Sequence, residues 1–298
     1  MQVLVSGATG LIGSRLVPRL RDAGHRVLRL SRTARGDDVV RVEPDGRGID
    51  LARCAGTEAV VHLAGEAIAG GRWTDARMRR IRDSRVEGTG HLVEQLAKLE
   101  PRPRVWIGAS AVGYYGDRGD EVLTAASAAG SGFIAEVCVD WEAASEPVEA
   151  WPARRVLLRT GLVLAAEGGA LKTMSRPFRL GLGGVIGDGR QWWSWIAIDD
   201  LTALIERALS DERTAGALEA VAPTPVTCRE FTKTLGRVLH RPTILPVPAG
   251  LARLALGRMA DPLVLASARV VPERTLTTGF RFGEPVLETA LRRALSAG

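Results

Sequence analysis

Residues 3–30, VLVSGATGLIGSRLVPRLRDAGHRVLRL, read as one strand–turn–helix–strand unit. VLVS at 3–6 is a short apolar, β-branched run, the signature of a buried strand. In LIGSRLVPRLRDAG at 11–24, Leu16, Val17 and Leu20 make an apolar helix face and Gly24 terminates it. Pro18 falls in the second turn, where a local adjustment rather than a break is expected. HRVLRL at 25–30 is a second strand. GATGLIG, residues 7–13, lies directly between the first strand and the helix. There Gly7 allows the tight turn, Gly10 lets the backbone approach a pyrophosphate, and Gly13 lets helix and strand pack closely. The helix start adds free N–H groups and the positive end of its dipole. This order of elements predicts a dinucleotide-binding Rossmann unit.

The second strand ends in Leu30-Ser31-Arg32, with Arg35 following. An NAD enzyme carries an acid at this tip to bind the ribose hydroxyls. A hydroxyl and a guanidinium stand here instead. The N–H fork of an arginine suits a 2′-phosphate, and the absent carboxylate removes a repulsion. The expected cofactor is NADP(H).

Outward from this unit, AVVHLAG at 59–65 and VWIGAS at 105–110 read as further strands, separated by a helical stretch over about 75–98. RRVLLRTGLVL at 154–164 continues the pattern with another strand. Strands alternating with helices predict an α/β, doubly wound parallel sheet covered on both faces. Past residue 165 the character changes to glycine-rich punctuation at Gly168-Gly169 and 181–189. WIAIDDLTALIERAL at 195–209 reads as a strand end entering a helix, with Asp199 or Asp200 as its N-cap. Proline-rich segments frame a helix at about 227–240. The division expected is a Rossmann domain over 1–165 and, over 166–298, mostly a smaller substrate lobe, with some later segments returning to the sheet.

Composition narrows the function classes. The 298 residues are 46% apolar and 25% charged, as in an ordinary globular protein. Only Lys98, Lys172 and Lys233 among the 40 basic residues are lysine, so the net charge of +6 reflects an arginine-rich composition rather than a basic patch. The densest run, DARMRRIRDSR at 75–85, mixes acids and apolar residues and reads as a solvated helix face. Aromatics are 5% of the chain and do not alternate with basic residues, so no nucleic-acid partner is expected. Cys54, Cys138 and Cys228 lack CxxC spacing, and no metal-ligand cluster is visible. No window of 18 uninterrupted apolar residues or signal-peptide pattern is found, so a cytoplasmic protein without a membrane partner is expected.

GATGLIG, HLAG at 62–65, RVEGTGHLV at 85–93, IGAS at 107–110 with the following YYG, and WIAIDD at 195–200 resemble, in order, the extended, sugar-nucleotide-epimerase-like branch of the short-chain dehydrogenase/reductase superfamily. LAGEAIAGGRW, Ser84-Arg85, SAVGYYGD, LLRTGLVLA, PFRLGLGGVIGDGRQWWSWIAIDD and RVVPERTLTTGFRF are similar to one atypical subfamily, the "epimerase family" proteins also labelled cell-division-inhibitor-like. The resemblance covers essentially the whole chain. It implies that Thr9, Gly10, Leu11 and Ile12 lie against the pyrophosphate and that Ser31 and Arg32 surround the adenosine phosphate. Leu63, Ala64 and Gly65 would line the cofactor's path with Glu66 nearby. Arg85 stands where extended members often have asparagine. Ala109 and Ser110 would approach the nicotinamide, as would the strand from Arg159 to Leu162. Trp192, Trp193 and Trp195 would wall the substrate and Arg190 would clamp an anion, although the tryptophans equally suit lobe-packing core.

One departure bears on the chemistry. The superfamily's proton donor is a tyrosine followed four residues later by a lysine that lowers its pKa. Here Tyr114 and Tyr115 are followed by Arg118 and Gly119 at that spacing. The segment that should carry the pair, GFIAEVCVDWE at 132–142, offers Phe133 or Ile134 and Val137 or Cys138. Ser110 remains to bind a substrate carbonyl, with Tyr114 or Tyr115 as proton donor. Tyr115 is favoured because Tyr115-Gly116 matches the superfamily's YG step. Asp117 and Lys172 are weaker candidates, while His62 and Cys138 read as packed core. The expected function is an NADP(H)-dependent oxidoreductase or epimerase-like enzyme with an altered proton donor, acting on an unidentified small molecule. The alternative is a non-catalytic NADP(H)-binding or sensing protein. A homodimer is left open as the assembly.

Overall fold

The computed structural model describes residues 1–33, 35–43 and 48–296. Seven strands form the central sheet: β1 (Gln2–Ser6), β2 (Arg26–Ser31), β3 (Val39–Arg41), β4 (Ala59–His62), β5 (Val105–Ala111), β6 (Arg154–Thr160) and β7 (Gly216–Ala220). Their order is β7-β6-β5-β4-β1-β2-β3, and every neighbouring pair is parallel. The strand order therefore reverses between β1 and β4, which opens a crevice at their carboxyl ends.

Both faces of the sheet are buried, as parallel strands require. On one face Val3 and Val5 meet Leu16 and Leu20 of α1 (Leu11–Asp22). On the other, Leu4 and Val60 meet Leu92, Val93 and Leu96 from the helix Val86–Leu96. Alternation along β1 thus reads out the two layers directly. Pro18 is accommodated inside α1 without a break, its position in the second turn being early in the helix.

Two expected elements are divided. The helical stretch over 75–98 is two helices, α2 (Asp75–Asp83) and α3 (Val86–Leu96). In a continuous helix the carbonyl of Ile81 would accept the backbone N–H of Arg85. Here it accepts the Arg85 side chain, Nη1 at 3.1 Å, while the backbone N–H bonds to the Arg82 carbonyl. The stretch 154–164 likewise divides at Gly161, where a Cβ would lie 2.5 Å from the Ser194 carbonyl oxygen. Beyond it, Leu162–Leu164 leaves the sheet and pairs with Trp195–Ala197.

After helices α4 (Phe133–Ala143) and α5 (Gly169–Arg179), α6 (Ile198–Ser210) returns to the Rossmann body. Its Leu201, Leu204 and Ile205 pack in the same cluster as Leu16 and Leu20, and β7 follows as an edge strand. A separate core cluster brings Leu171 and Phe178 of α5 against Trp193, Trp195 and Phe231 and Leu235 of α7 (Cys228–Val238). Thr227 caps α7 in a reciprocal capping box with Glu230. Among the described residues no helix is long and apolar enough to cross a membrane.

The expected N-cap of α6 is corrected. Ala197 occupies that position, and Asp199 and Asp200 stand in the first turn. Asp200 is buried and accepts backbone N–H bonds from Gly283 (2.7 Å) and Glu284 (3.0 Å), tying the C-terminal segment to the Rossmann body. Asp200→Ala leaves both donors without this acceptor and should cost about 2 kcal/mol. Urea unfolding checks this; a midpoint equal to that of the unmodified chain would remove the anchor from the account.

Candidate cofactor and reaction site

The groove is shaped first by backbone. Gly7 has φ of +69°, and a Cβ on it would sit 2.8 Å from the Leu63 carbonyl carbon. A Cβ on Gly13 would lie 2.2 Å from the Gly7 oxygen. Only glycine meets these two demands, one for the approach of the β4 loop and one for the approach of α1. The Gly10 N–H closes the turn on the Gly7 carbonyl at 3.0 Å. No side chain caps α1 and its first turn carries no acid. Thr9 and Gly10 are exposed, and Leu11 and Ile12 half-buried, at this anion-receptive end.

A buried polar chain fixes the β4 side. Ser6 and His62 are register partners in β1 and β4, with Ser6 Oγ 2.6 Å from His62 Nδ1. Ser6 Oγ also accepts the N–H groups of Leu63 (3.2 Å) and Ala64 (3.3 Å). Its one proton therefore goes to Nδ1, and His62 Nε2–H donates to Thr89 Oγ1 at 3.0 Å. Thr89 also accepts Trp141 Nε1 at 3.1 Å. Burial lowers the His62 pKa to about 4, so the ring is neutral and acts as a strut.

At the tip of β2, Ser31 is half-buried and accepts the Thr33 N–H. Arg32 and Arg35 are exposed and form no ion pair among the described residues. Asp38 is held by Arg29 at 2.6 Å and by Arg21, which keeps its carboxyl down at about 2. Leu63 and Ala64 are half-buried and Gly65 is exposed on the groove. Arg85 is buried beneath them: Nη1 donates to the Glu66 carbonyl at 3.0 Å, and a Cβ on Gly65 would meet its Cζ at 3.2 Å. Its place is under the loop, where it shapes the groove through Gly65 and Glu66. Glu66 donates its N–H to Ser84 Oγ and holds its carboxylate 3.6 Å from Arg77.

At the end of β5, Ala109 is half-buried and Ser110 buried. Ser110 Oγ donates to Glu142 Oε1 at 2.6 Å. Arg159, the register partner of Ser110 on β6, donates Nε to Oε1 and Nη2 to Oε2 of Glu142, both at 2.9 Å. Its Nη1 donates to the Tyr115 hydroxyl and the Ala125 carbonyl, both at 3.2 Å. Arg159 is therefore an internal pairing residue at the end of β6. Leu162 is half-buried beyond it. Glu142 was not among the sequence candidates. Its signal was the spacing in α4, four residues after Cys138, which puts an acid on the helix's buried face.

The two tyrosines have different fates. Tyr115 has no exposed surface, and burial pushes its pKa up to about 12 despite the Arg159 bond. That placement leaves its hydroxyl facing Arg159 inside the protein. Tyr114 is half-buried, with the Arg159 Cζ 3.4 Å from its ring centroid, and its hydroxyl makes no hydrogen bond among the described residues. Asp117 accepts the Ser267 N–H at 3.1 Å and serves the loop. Lys172 is exposed on α5 and donates to the Glu167 carbonyl.

Of the two readings open for the tryptophans, packing core describes Trp193 and Trp195. Trp193 and Trp195 are buried in the lobe core, Trp195 donating to the Thr224 carbonyl at 3.0 Å. Trp192 is half-buried, bonded to Asp120 at 2.8 Å and covered by the Arg269 guanidinium 4.3 Å from its ring. Arg190 is exposed nearby in sequence and makes no ion pair among the described residues. Among those residues no group of three or more His, Cys, Asp or Glu side chains converges on a metal position.

Comparison with known proteins places this geometry. The family model of the NAD dependent epimerase/dehydratase family matches residues 3–221, and a domain of unknown function (DUF1731) matches residues 247–294. An epimerase family protein of Mycobacterium bovis is 39% identical over 290 residues, 97% of this chain and 96% of its own. The crystal structure of the human epimerase family protein SDR39U1 with NADPH is 34% identical, with a TM-score of 0.90 and 99% of each chain covered. A nucleoside-diphosphate sugar epimerase from Corynebacterium glutamicum is 35% identical with a TM-score of 0.82, matched over 100% of this chain and 58% of that one.

The His62 strut has a pH signature. A buried histidine with pKa about 4 and an unfolded value near 6.5 resists protonation in the folded state. Between these values the unfolded chain binds the additional proton, so stability falls as pH drops, by about 3 kcal/mol across the window. Unfolding free energy measured from pH 7 to 4 should decline with this slope and flatten in His62→Asn. An equal slope in both would assign the acid sensitivity to other groups.

Proposed function

Because the chain belongs to the NAD dependent epimerase/dehydratase family, we propose that it binds NADP(H) across the β1/β4 crevice and works as an oxidoreductase or epimerase-like enzyme with a rebuilt proton-transfer site. The residues present fit this cofactor. A Cβ on Gly7 or Gly13 would fill the cradle, the start of α1 receives the pyrophosphate, and Arg32 stands exposed at the tip of β2 with no acid paired to it among the described residues. The absence of an acid at Ser31-Arg32, beside a guanidinium that forms no ion pair among the described residues, is the observation that carries the NADP(H) reading. The human relative crystallised with NADPH supports it.

When bound, the nicotinamide supplies or accepts a hydride. The chain's own residues do the remaining work. Ser6 and His62 hold the β4 loop at the distance the cofactor path needs. Gly65 permits close approach, and Ser110 lies at the reacting end of β5. Tyr114 is the phenol whose hydroxyl is available to exchange a proton, in place of the sealed Tyr115. The alternative, a non-catalytic NADP(H)-binding protein, draws on one specific observation: the Ser110 hydroxyl is already engaged by Glu142.

NADPH should bind at least about tenfold more tightly than NADH, roughly 1.4 kcal/mol. Arg32→Asp should erase or reverse the preference. Equal affinities in the unmodified chain, measured calorimetrically at moderate salt, would end the NADP(H) reading.

For any substrate turned over, Tyr114→Phe should lower turnover about a hundredfold or more with NADPH affinity unchanged. Tyr115→Phe should instead lower thermal stability and leave turnover largely intact. The reverse pattern would restore Tyr115 as donor. NADPH binding without hydride transfer to or from any carbonyl or alcohol tested would favour the non-catalytic reading.

A further inference from the structure

Exposed apolar side chains are ordinary when scattered and informative when gathered. Ten large ones are exposed among the described residues, and six of them fall in two short stretches: Leu180 and Leu182, then Ile244, Leu245, Leu251 and Leu254. The stretches lie side by side. Arg241 Nε donates to the Arg179 carbonyl at 3.0 Å, the Val247 N–H donates to the Val185 carbonyl at 2.9 Å, and a Cβ on Gly184 would overlap the Leu245 carbonyl oxygen. Pro242 and Pro246 bracket Ile244-Leu245 and restrict the backbone that holds this exposed pair. The helix α8 (Ala249–Leu256) follows, and Leu251 and Leu254, three residues apart, share its outer face.

The charge around this patch has one sign. No Asp or Glu occurs over 168–187 or over 231–260. Arg237, Arg253 and Arg258 pair with Glu288, Asp261 and Asp75 from outside these stretches. Arg176, Arg179, Lys233 and Arg241 are exposed and form no ion pair among the described residues. Lys233 Nζ donates to the Thr243 carbonyl at 2.8 Å, which sets it beside Ile244.

We infer that this patch is a docking surface for an anionic lipid bilayer, its leucines and Ile244 entering the interface and its four free cations meeting lipid phosphates. Opposite charge selects the occupant. A second copy docked about a two-fold axis would set the four cations against the same four. Shape separates a bilayer from an acidic protein. Ile244, Leu180 and Leu254 are 81%, 76% and 73% exposed, so they stand out from the surface rather than line a pocket, and a bilayer accepts such knobs without a matching mould. The contact is peripheral, since no described helix is long and apolar enough to cross a membrane. The expectation of no membrane partner rests on spanning and signal segments, which a peripheral patch does not need.

The test is co-flotation of the full chain with vesicles of phosphatidylcholine, alone or mixed with phosphatidylglycerol, at low and at high salt. Partitioning onto the anionic vesicles should exceed that onto the neutral ones at least about tenfold and fall steeply with salt. Ile244→Ser combined with Leu254→Ser should lower it at least about tenfold and keep the salt dependence. Arg176→Gln combined with Arg179→Gln should lower it about tenfold or more and flatten the salt dependence. Leu276→Ser, at an exposed leucine outside the patch, should change nothing. All these side chains face solvent, and an unchanged urea midpoint checks that each variant is folded. No partitioning onto the anionic vesicles, equal partitioning onto the neutral ones, or binding that survives both double substitutions would overturn the inference. Self-association of the chain in place of vesicle binding, abolished by Ile244→Ser with Leu254→Ser, would give the patch to a second copy and overturn it too.

Discussion

The ion pair between Arg159 and Glu142 is the constraint around which the carboxyl end of β5 is organised. It joins β6 to α4, and through Ser110 and Tyr115 it reaches β5 and the turn that follows. A buried pair of this kind adds little net stability compared with apolar packing, but removing one partner strands the other charge at a cost of about 3–5 kcal/mol. Its value here is positional. Ser110 and Arg159 are register partners on adjacent strands, so both side chains leave the sheet on one face. Glu142 then receives both from the helix above, and Tyr114 packs under the same guanidinium.

The two ends of the groove are built on different principles. At the cofactor end the decisive contacts are backbone to backbone. Gly7 and Gly13 bring β1, α1 and the β4 loop closer than a side chain permits, and Ser6 and His62 hold that spacing with hydrogen bonds whose proton positions follow from the donors available. At the reacting end the decisive contacts are between side chains, and here the superfamily's tyrosine and lysine positions are apolar. The helix that would carry them contributes Glu142 instead, one turn beyond Cys138. The dinucleotide scaffold and the side-chain network at the end of β5 are thus separable within one fold.

This separation explains what the sequence revealed and what it hid. GATGLIG works through local geometry and its neighbours in the chain, so its role is readable from residues 3–30 alone. The parallel sheet was likewise visible wherever strands are β-branched. β3 is three residues long, and β7 reads GALEA, whose alanine, leucine and glutamate favour helix. Only its place beside β6, with buried Glu219 accepting the N–H groups of Arg274 and Thr275, makes GALEA a strand. Tyr115 matched a motif, but its accessibility depends on Arg159, 44 positions later. Trp193 and Trp195 suited a binding wall and packing core equally in sequence, and only their burial separates the two. Glu142 escaped notice because its partners come from two distant strands.

A crystal structure of the complex with NADPH tests the central claim most directly, that a conventional NADP(H) groove here ends in a rebuilt reaction site. The account predicts the pyrophosphate at the start of α1, the 2′-phosphate within hydrogen-bond reach of Arg32, and the nicotinamide beside Ser110. It further predicts that Ser110 Oγ still lies about 2.6 Å from Glu142 Oε1, as in the structure described above. A 2′-phosphate held away from Arg32, or a Ser110 that has turned from Glu142 toward the nicotinamide, would contradict it.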